Sequence, residues 1–246
     1  MGKVYLIGAG PGAPDLLTLR AARLLEEADI VLHDALVHPA TLALARRART
    51  IDVGKRYGKV STEQRFINRS LIEAARTHDI VVRLKGGDPM LFARAQEEID
   101  ALREAGIEFE VVPGVTAALA AAATLGVSLT RRGIARTVAF LTPRVGKEET
   151  ASEWLPAALG ADSVILYMAA GASQAIAASL IDAGKSAATP VALVESATLA
   201  EEQRLITTLG ALRAEALPRA TGPVVMCVGE VFRDRAIVDI EVSLTA

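Results

Sequence analysis

The sequence predicts an α/β protein of two domains, with a mostly parallel N-terminal sheet followed by a mixed C-terminal sheet. Three observations carry this. Short apolar, β-branched runs alternate with helical patterns as far as residue 112, and such alternation builds a parallel sheet covered by helices on both faces. The rhythm pauses over GVTAALAAAATLGVSLTRRG, then resumes, which places a domain boundary within 113–135 and gives domains of 1–113 and 114–246. In the second half the runs 190–194 and 204–208 have no long helix between them, so a mixed sheet is expected there.

In chain order, the expected strands of the first domain are KVYLI (3–7), DIVLH (29–33), TIDV (50–53), IVVRL (80–84) and EFEVV (108–112). Each is a short apolar run bounded by turn residues. The helical patterns between them fall at 15–28, 39–48, 62–77 and 93–105. Ser61 with Gln64 reads as a capping box for the third helix. In the second domain the runs RTVAFLT (136–142), SVILYM (163–168), PVALV (190–194), RLITT (204–208) and PVVMCV (223–228) are expected as strands. Helices are expected at 151–159, 172–183 and 209–216, and the alanine-rich stretch 114–127 reads as a packed helix. No period of 20–50 residues repeats.

The 246 residues are 51% apolar and 23% charged, the profile of a folded domain and not of a disordered chain. A net charge of −2 excludes global attraction to nucleic acid or to an anionic membrane. The single cysteine, Cys227, lies in an apolar run; it permits no internal disulfide framework, and it reads as a small core residue. Lys3 leads straight into a strand and not into a cleavable apolar leader. The stretch 114–127 falls short of the ~18 residues that a membrane span needs. A soluble, cytoplasmic protein without membrane contact is therefore expected. His33, His38 and His78 show no metal-ligand spacing with each other or with Cys227, so no metal is expected. The basic segment RRGIARTVAFLTPR lacks the interleaved aromatics of an RNA-stacking surface, and no nucleic-acid partner is expected.

Three glycine-bearing loops end three of the expected strands. The first, GAGPGA, places Gly8, Gly10 and Ala13 near the G-x-G-x-x-G/A pattern, with Asp34 downstream where a ribose-binding acid would stand. By pattern this is a nicotinamide- or flavin-binding opening. Pro11 weakens it, because proline removes an N–H from a loop whose work is to offer N–H groups to pyrophosphate. The second loop, Gly86-Gly87-Asp88-Pro89, and the third, around Gly114 and Thr116, also lie where open α/β sheets bind ligands. Together they suggest a small polar ligand held largely by backbone. Each alone also reads as an ordinary βα turn.

At these residues the chain resembles the tetrapyrrole (corrin/porphyrin) methylases. The likeness is carried by VYLIGAGPGAPDLLTL, ADIVLHDALV, VGKR, VVRLKGGDPMLFAR, VVPGVTAA, VILYM and PVALVESAT. The resemblance implies two α/β domains with the active-site cleft between them, usually in a homodimer. It implies S-adenosyl-L-methionine as methyl donor, S-adenosyl-L-homocysteine as product, and uroporphyrinogen III as the tetrapyrrole that is methylated twice (C2 and C7) to precorrin-2, toward sirohaem or cobalamin. Carried over by position, the cofactor contacts are Pro11, Gly86, Gly87, Asp88, Leu91, Thr116, Ala117, Met168 and Ala197. Asp34 and Lys55 become the catalytic acid/base candidates, and Arg94, Arg132 and Arg144 the contacts to substrate carboxylates. Without the resemblance, Met168 reads as core, Asp34 as a strand-end turn residue and Lys55 as a solvated lysine. Lys85 and Arg56 rank below these arginines as carboxylate contacts and read instead as solvated charges.

The chain departs from the family pattern mainly on the tetrapyrrole side. Ala35 stands where an arginine is usual, Phe92-Ala93-Arg94-Ala95 replaces F-G-R-G, Thr130-Arg131-Arg132 replaces T-H-R, and Thr142-Pro143-Arg144 replaces T-G-H. A sister methylase acting on a later precorrin and a nicotinamide-dependent oxidoreductase are the alternatives that the sequence leaves open.

Overall fold

The structure is a computed structural model that describes residues 1–54, 64–145, 153–169, 171–214 and 220–234. Contacts divide the chain into two compact units, Met1–Ala117 and Ala118–Ala246.

In the first unit the described residues form β1 (Lys3–Gly8), α1 (Leu19–Glu27), β2 (Ile30–His33), α2 (Pro39–Leu42), β3 (Arg49–Asp52), α3 (Gln64–Thr77), β4 (Ile80–Lys85), α4 (Ala95–Glu104) and β5 (Phe109–Val112). The strands make one parallel sheet in the order β3-β2-β4-β1-β5, as expected. From β1 the chain crosses toward one edge to reach β2, and from β4 it crosses toward the other to reach β5. Right-handed crossovers then put α1 and α4 on opposite faces. The packing agrees. Ala21, Leu24 and Leu25 of α1 cluster with Ile7, Val31, Val82 and Leu84, whereas residues of α3 and α4 cluster with Val4, Leu6 and Val81. Neighbouring β1 and β4 thus send their loops to opposite faces, and the crevice beyond their C-terminal ends is the place where open sheets take ligands.

Two expected helices are shorter than the pattern suggested. The stretch 15–28 splits into a turn at Pro14–Leu16 and α1, because Thr18 leaves the helical region and its Oγ1 accepts the Ala21 N–H at 3.2 Å. The stretch 39–48 is helical only over Pro39–Leu42. Tight i→i+3 turns then carry the chain, with Ala45 N–H on the Leu42 carbonyl and Ala48 N–H on that of Ala45, into β3. The Ser61 half of the capping box lies outside the described residues.

Among the described residues the second unit opens with α5 (Ala117–Leu125), whose first residue belongs to the first unit, and continues with β6 (Val138–Leu141), α6 (Trp154–Gly160), β7 (Ser163–Leu166), α7 (Ser173–Asp182), β8 (Pro190–Glu195), β9 (Gln203–Thr208), α8 (Leu209–Ala214) and β10 (Val224–Gly229). Its sheet runs β6-β7-β10-β8-β9, with β6 and β7 parallel and the other neighbours antiparallel. Cys227 sits fully buried in β10, where burial pushes its thiol up to about 12. It is core. Among the described residues no helix is long and apolar enough to cross a membrane.

Asp162 pins the start of β7 to the start of β6. Its Oδ2 accepts the N–H of Arg136 (2.8 Å), the Thr137 N–H (3.0 Å) and the Thr137 hydroxyl (2.9 Å). These donors, the Arg136 N–H first, hold the carboxyl below the usual carboxylate range. A folded-state pKa that is depressed gives stability that is present above the unfolded value and is lost as pH falls through the folded one. Asp162→Asn is therefore expected to unfold at lower urea than wild type at neutral pH, with the gap closing as pH drops below about 3.9. Midpoints measured across a pH series check this; a gap that stays constant in acid would refute it.

Candidate active site

The three glycine loops of the first unit interlock. Gly10 N–H donates to the Gly87 carbonyl at 3.2 Å, and Gly87 N–H to that of Gly10 at 2.8 Å. A Cβ on Gly8 would lie 2.6 Å from Gly114 Cα and 2.6 Å from Gly87 O, closer than any side chain survives. Around Gly87 the situation is reversed: φ is +69° and a Cβ there would meet nothing within 4 Å. Gly87 is a half-buried strand-end position with open space on its Cα, which suits close approach by a ligand.

Asp88 fastens the second loop to the third. Its Oδ2 accepts the Gly114 N–H at 2.9 Å and its Oδ1 the Met90 N–H at 2.8 Å. The carboxylate therefore shapes the site whatever else it binds. Asp88→Ala is expected to cost about 1–3 kcal/mol by orphaning these donors and to weaken S-adenosylhomocysteine binding. Asp88→Asn keeps an acceptor for Gly114 and should restore most of the stability. Melting curves and calorimetry read the two effects separately, and an alanine variant with wild-type melting would refute the clamp.

The same geometry disfavours a dinucleotide. In the opening loop the Gly10 N–H is spent on Gly87, and no helix begins at the glycines. The α1 helix starts only at Leu19, with its first turn capped by Thr18, so its N-terminus is not offered to a pyrophosphate.

Asp34 directly follows β2 and is anchored through its backbone N–H to the Leu84 carbonyl at 3.1 Å. Its carboxylate, 30% exposed, pairs with Arg83 NH2. Arg83 is buried, and its Nε donates to Glu98 Oε1 at 3.0 Å. Lys85 Nζ donates to that same oxygen at 2.9 Å. The expectation that Lys85 is a solvated charge is thus corrected: the lysine is 2% exposed. Burial, and next the charge of Arg83, hold its ammonium below the ordinary lysine range. Gly54, of the VGKR motif, passes so close to this point that a Cβ would lie 2.7 Å from Asp34 C. Lys55 follows it and lies outside the described residues.

Arg83 and Glu98 were not singled out from the sequence, yet both left a signal. Arg83 and Lys85 alternate with Val82 and Leu84, so they share the face of β4 that Val81 presents to α3 and α4. Glu98 stands in the apolar stripe Ala95, Ile99, Leu102 of α4, a position where an unpaired carboxylate would not be tolerated.

The remaining candidates fall into two groups. Pro11, Gly86, Leu91, Arg94, Thr116 and Ala117 lie with Asp34, Gly87 and Asp88 at or beyond the C-terminal ends of β1, β2, β4 and β5. Arg94 has φ +55° and grips Glu97 with two bonds of 2.7 Å. In the second unit Arg144, Met168 and Ala197 follow β6, β7 and β8, which share one direction, so they occupy one sheet edge. Met168 is 43% exposed with φ +57°, and Ala197 is flanked by Ser196 and Thr198 at φ +51° and +74°. Left-handed non-glycine residues cost of order 1–3 kcal/mol each and collect at ligand sites. The core reading of Met168 does not hold. Arg132 is apart from these three. Its neighbours tie it to the opposite edge, Leu129 through its carbonyl to the Ser163 hydroxyl and Arg131 through Asp234.

Comparison with known proteins matches this arrangement to a family. A profile of the Tetrapyrrole (Corrin/Porphyrin) Methylases matches residues 3–213. Uroporphyrinogen-III C-methyltransferase of Pseudomonas aeruginosa is 43% identical over 246 residues, covering 100% of this chain and 99% of that one. The siroheme synthase of Azotobacter vinelandii is 44% identical over 96% of this chain, which spans only 51% of that protein. In three dimensions, uroporphyrin-III C-methyl transferase from Thermus thermophilus, solved with S-adenosyl homocysteine, superposes with a TM-score of 0.82 at 40% identity. That match covers 95% of this chain and 100% of that one. The chain belongs to the tetrapyrrole (corrin/porphyrin) methylases.

Proposed function

We propose that the protein is an S-adenosyl-L-methionine-dependent C-methyltransferase that methylates uroporphyrinogen III twice, at C2 and C7, to give precorrin-2. The observation that carries this is the end-to-end likeness to a protein of that name, and the open, glycine-lined edge around Gly87 suits the cofactor. Pro11, Gly86, Gly87, Asp88, Leu91, Thr116 and Ala117 are the cofactor contacts of this reading in the first unit, and Met168 and Ala197 those in the second. When bound, S-adenosylmethionine supplies an electrophilic methyl group to an electron-rich pyrrole carbon. The chain's part is to align the reactants, exclude water and move protons as the ring electrons rearrange. Asp34 and Lys55 are assigned that proton handling. Arg94, Arg132 and Arg144 are assigned to the substrate's carboxylates, with Arg132 the weakest of the three on its place at the far sheet edge. A cytoplasmic homodimer completes the reading, supported by the resemblance and by the lone buried cysteine; sedimentation velocity tests the dimer.

The deciding assay mixes purified protein with anaerobically generated uroporphyrinogen III and labelled S-adenosylmethionine. Two methyl groups per tetrapyrrole are expected. No transfer to uroporphyrinogen III, with turnover of a later precorrin, would overturn the substrate in favour of the sister methylase that the altered arginine motifs keep open. Calorimetry in which NAD binds and S-adenosylhomocysteine does not would overturn the whole reading.

A further inference from the structure

Between the first sheet and α3–α4, two carboxylates and two cations are packed beside an apolar cluster that includes Val81, Ile99 and Leu102. Arg83, Lys85 and Glu98 are 1%, 2% and 0% exposed. Burying such a set costs several kcal/mol per ion, and apolar residues of the same volume usually serve stability as well or better. The network is therefore explained by what it does for its one member that reaches solvent, and that member is Asp34.

We infer that Arg83 is a positioning residue for Asp34 and that Glu98 of α4 locks Arg83 in place. Every nitrogen of the guanidinium is engaged. Nε meets Glu98 Oε1 at 3.0 Å, NH1 donates to the carbonyls of Leu84 (3.2 Å) and Leu32 (3.4 Å), and NH2 holds Asp34 Oδ1. Strands β2 and β4 and helix α4 thus fix the plane of the fork, and the fork fixes the carboxylate. Lys85 shares Glu98 Oε1 and balances its charge, so that Arg83 remains available to Asp34. A lysine at position 83 keeps the charge but has one ammonium on a flexible stem, and it cannot span Glu98 and Asp34 in a fixed plane.

The inference rests on Asp34 as the proton-handling carboxylate, and a double-mutant cycle separates the two. With the uroporphyrinogen III assay, Asp34→Asn is expected to lower kcat by about 100-fold or more. Arg83→Lys should lower kcat about tenfold, with KM and the S-adenosylhomocysteine dissociation constant within about twofold of wild type. In the Asp34→Asn background, Arg83→Lys should lower kcat no further. A further tenfold loss there, or a wild-type kcat for Arg83→Lys alone, overturns the positioning role while leaving Asp34 in the mechanism. A wild-type kcat for Asp34→Asn removes Asp34 from the reaction and the inference with it. Should Arg83→Lys not accumulate folded, Glu98→Asp makes the same cycle: it keeps every charge and withdraws the carboxylate from Arg83 by one methylene.

Discussion

Glu98→Gln is expected to lower the unfolding free energy by about 3–5 kcal/mol, the range for breaking a buried ion pair from one side, read as a lower urea midpoint. Glutamine keeps the shape and an acceptor oxygen, so little packing is lost. What is lost is the charge that Arg83 and Lys85 share at Glu98 Oε1. Asp34 alone then faces two buried cations, and its 30% exposure lets water screen its share. The exposed pair Arg94–Glu97, with side chains 47% and 48% accessible, belongs to the class worth about 0–1 kcal/mol, so Arg94→Ala serves as the matched control. The double variant Lys85→Met with Glu98→Gln removes one charge of each sign and should recover more than half of the loss. Lys85 also sets a pH signature. Its folded pKa is lowered, so below that value its charge opposes folding, and this penalty fades as pH rises toward the ordinary lysine value of about 10.4. Lys85→Met should lose that alkaline gain. A Glu98→Gln midpoint indistinguishable from wild type would mean that the Glu98 charge does not support the fold, and the ion network would have to be redrawn.

What the sequence made legible follows from the range of the forces involved. Strand ends were readable because glycine, aspartate and proline punctuate them locally. Each expected strand of the first domain overlaps an observed one, and the mixed character of the second sheet follows from the missing helix between β8 and β9. Helix lengths were less readable where a local competitor intervened: the Thr18 hydroxyl at the head of α1, and the tight turns after Leu42. The glycine loops stood out for the same local reason. The charge network did not, because Glu98 lies 13 residues beyond Lys85 and 15 beyond Arg83. Only the parallel register that sets Lys85 beside Gly8 at the end of β4, with α4 laid over it, turns a lysine before two glycines into a buried one. Met168 shows the converse for the reading made without the resemblance. Its apolar run suggested core, but β7 ends at Leu166, and two residues later the chain has turned left-handed into solvent.

Gly114→Ala should be strongly damaging where the three glycine loops of the first unit meet. Gly8 and Gly114 sit backbone to backbone: a Cβ on Gly114 would lie 2.8 Å from Gly8 Cα and would overlap the Gly87 carbonyl. None of these neighbours is a side chain that can swing aside. The conflict must be relieved by parting the third loop from the first two, which also pulls the Gly114 N–H from Asp88 Oδ2. Overpacking of this kind costs about 1–3 kcal/mol, and the orphaned donor adds about 1–3 kcal/mol. The predicted outcome is a folded-state loss near the sum of the two, together with a loss of S-adenosylhomocysteine affinity as the parted loops lose their shared geometry. Gly87→Ala is the informative contrast. It meets no neighbour, so its cost is the left-handed backbone alone, about 1–2 kcal/mol, and the methyl group points into the open space over the loop. Gly87→Ala should therefore lose cofactor affinity out of proportion to stability, whereas Gly114→Ala should lose both. Calorimetry and urea denaturation on the two variants separate these cases. If Gly87→Ala bound S-adenosylhomocysteine as tightly as wild type, the space above Gly87 would not be where the cofactor lies.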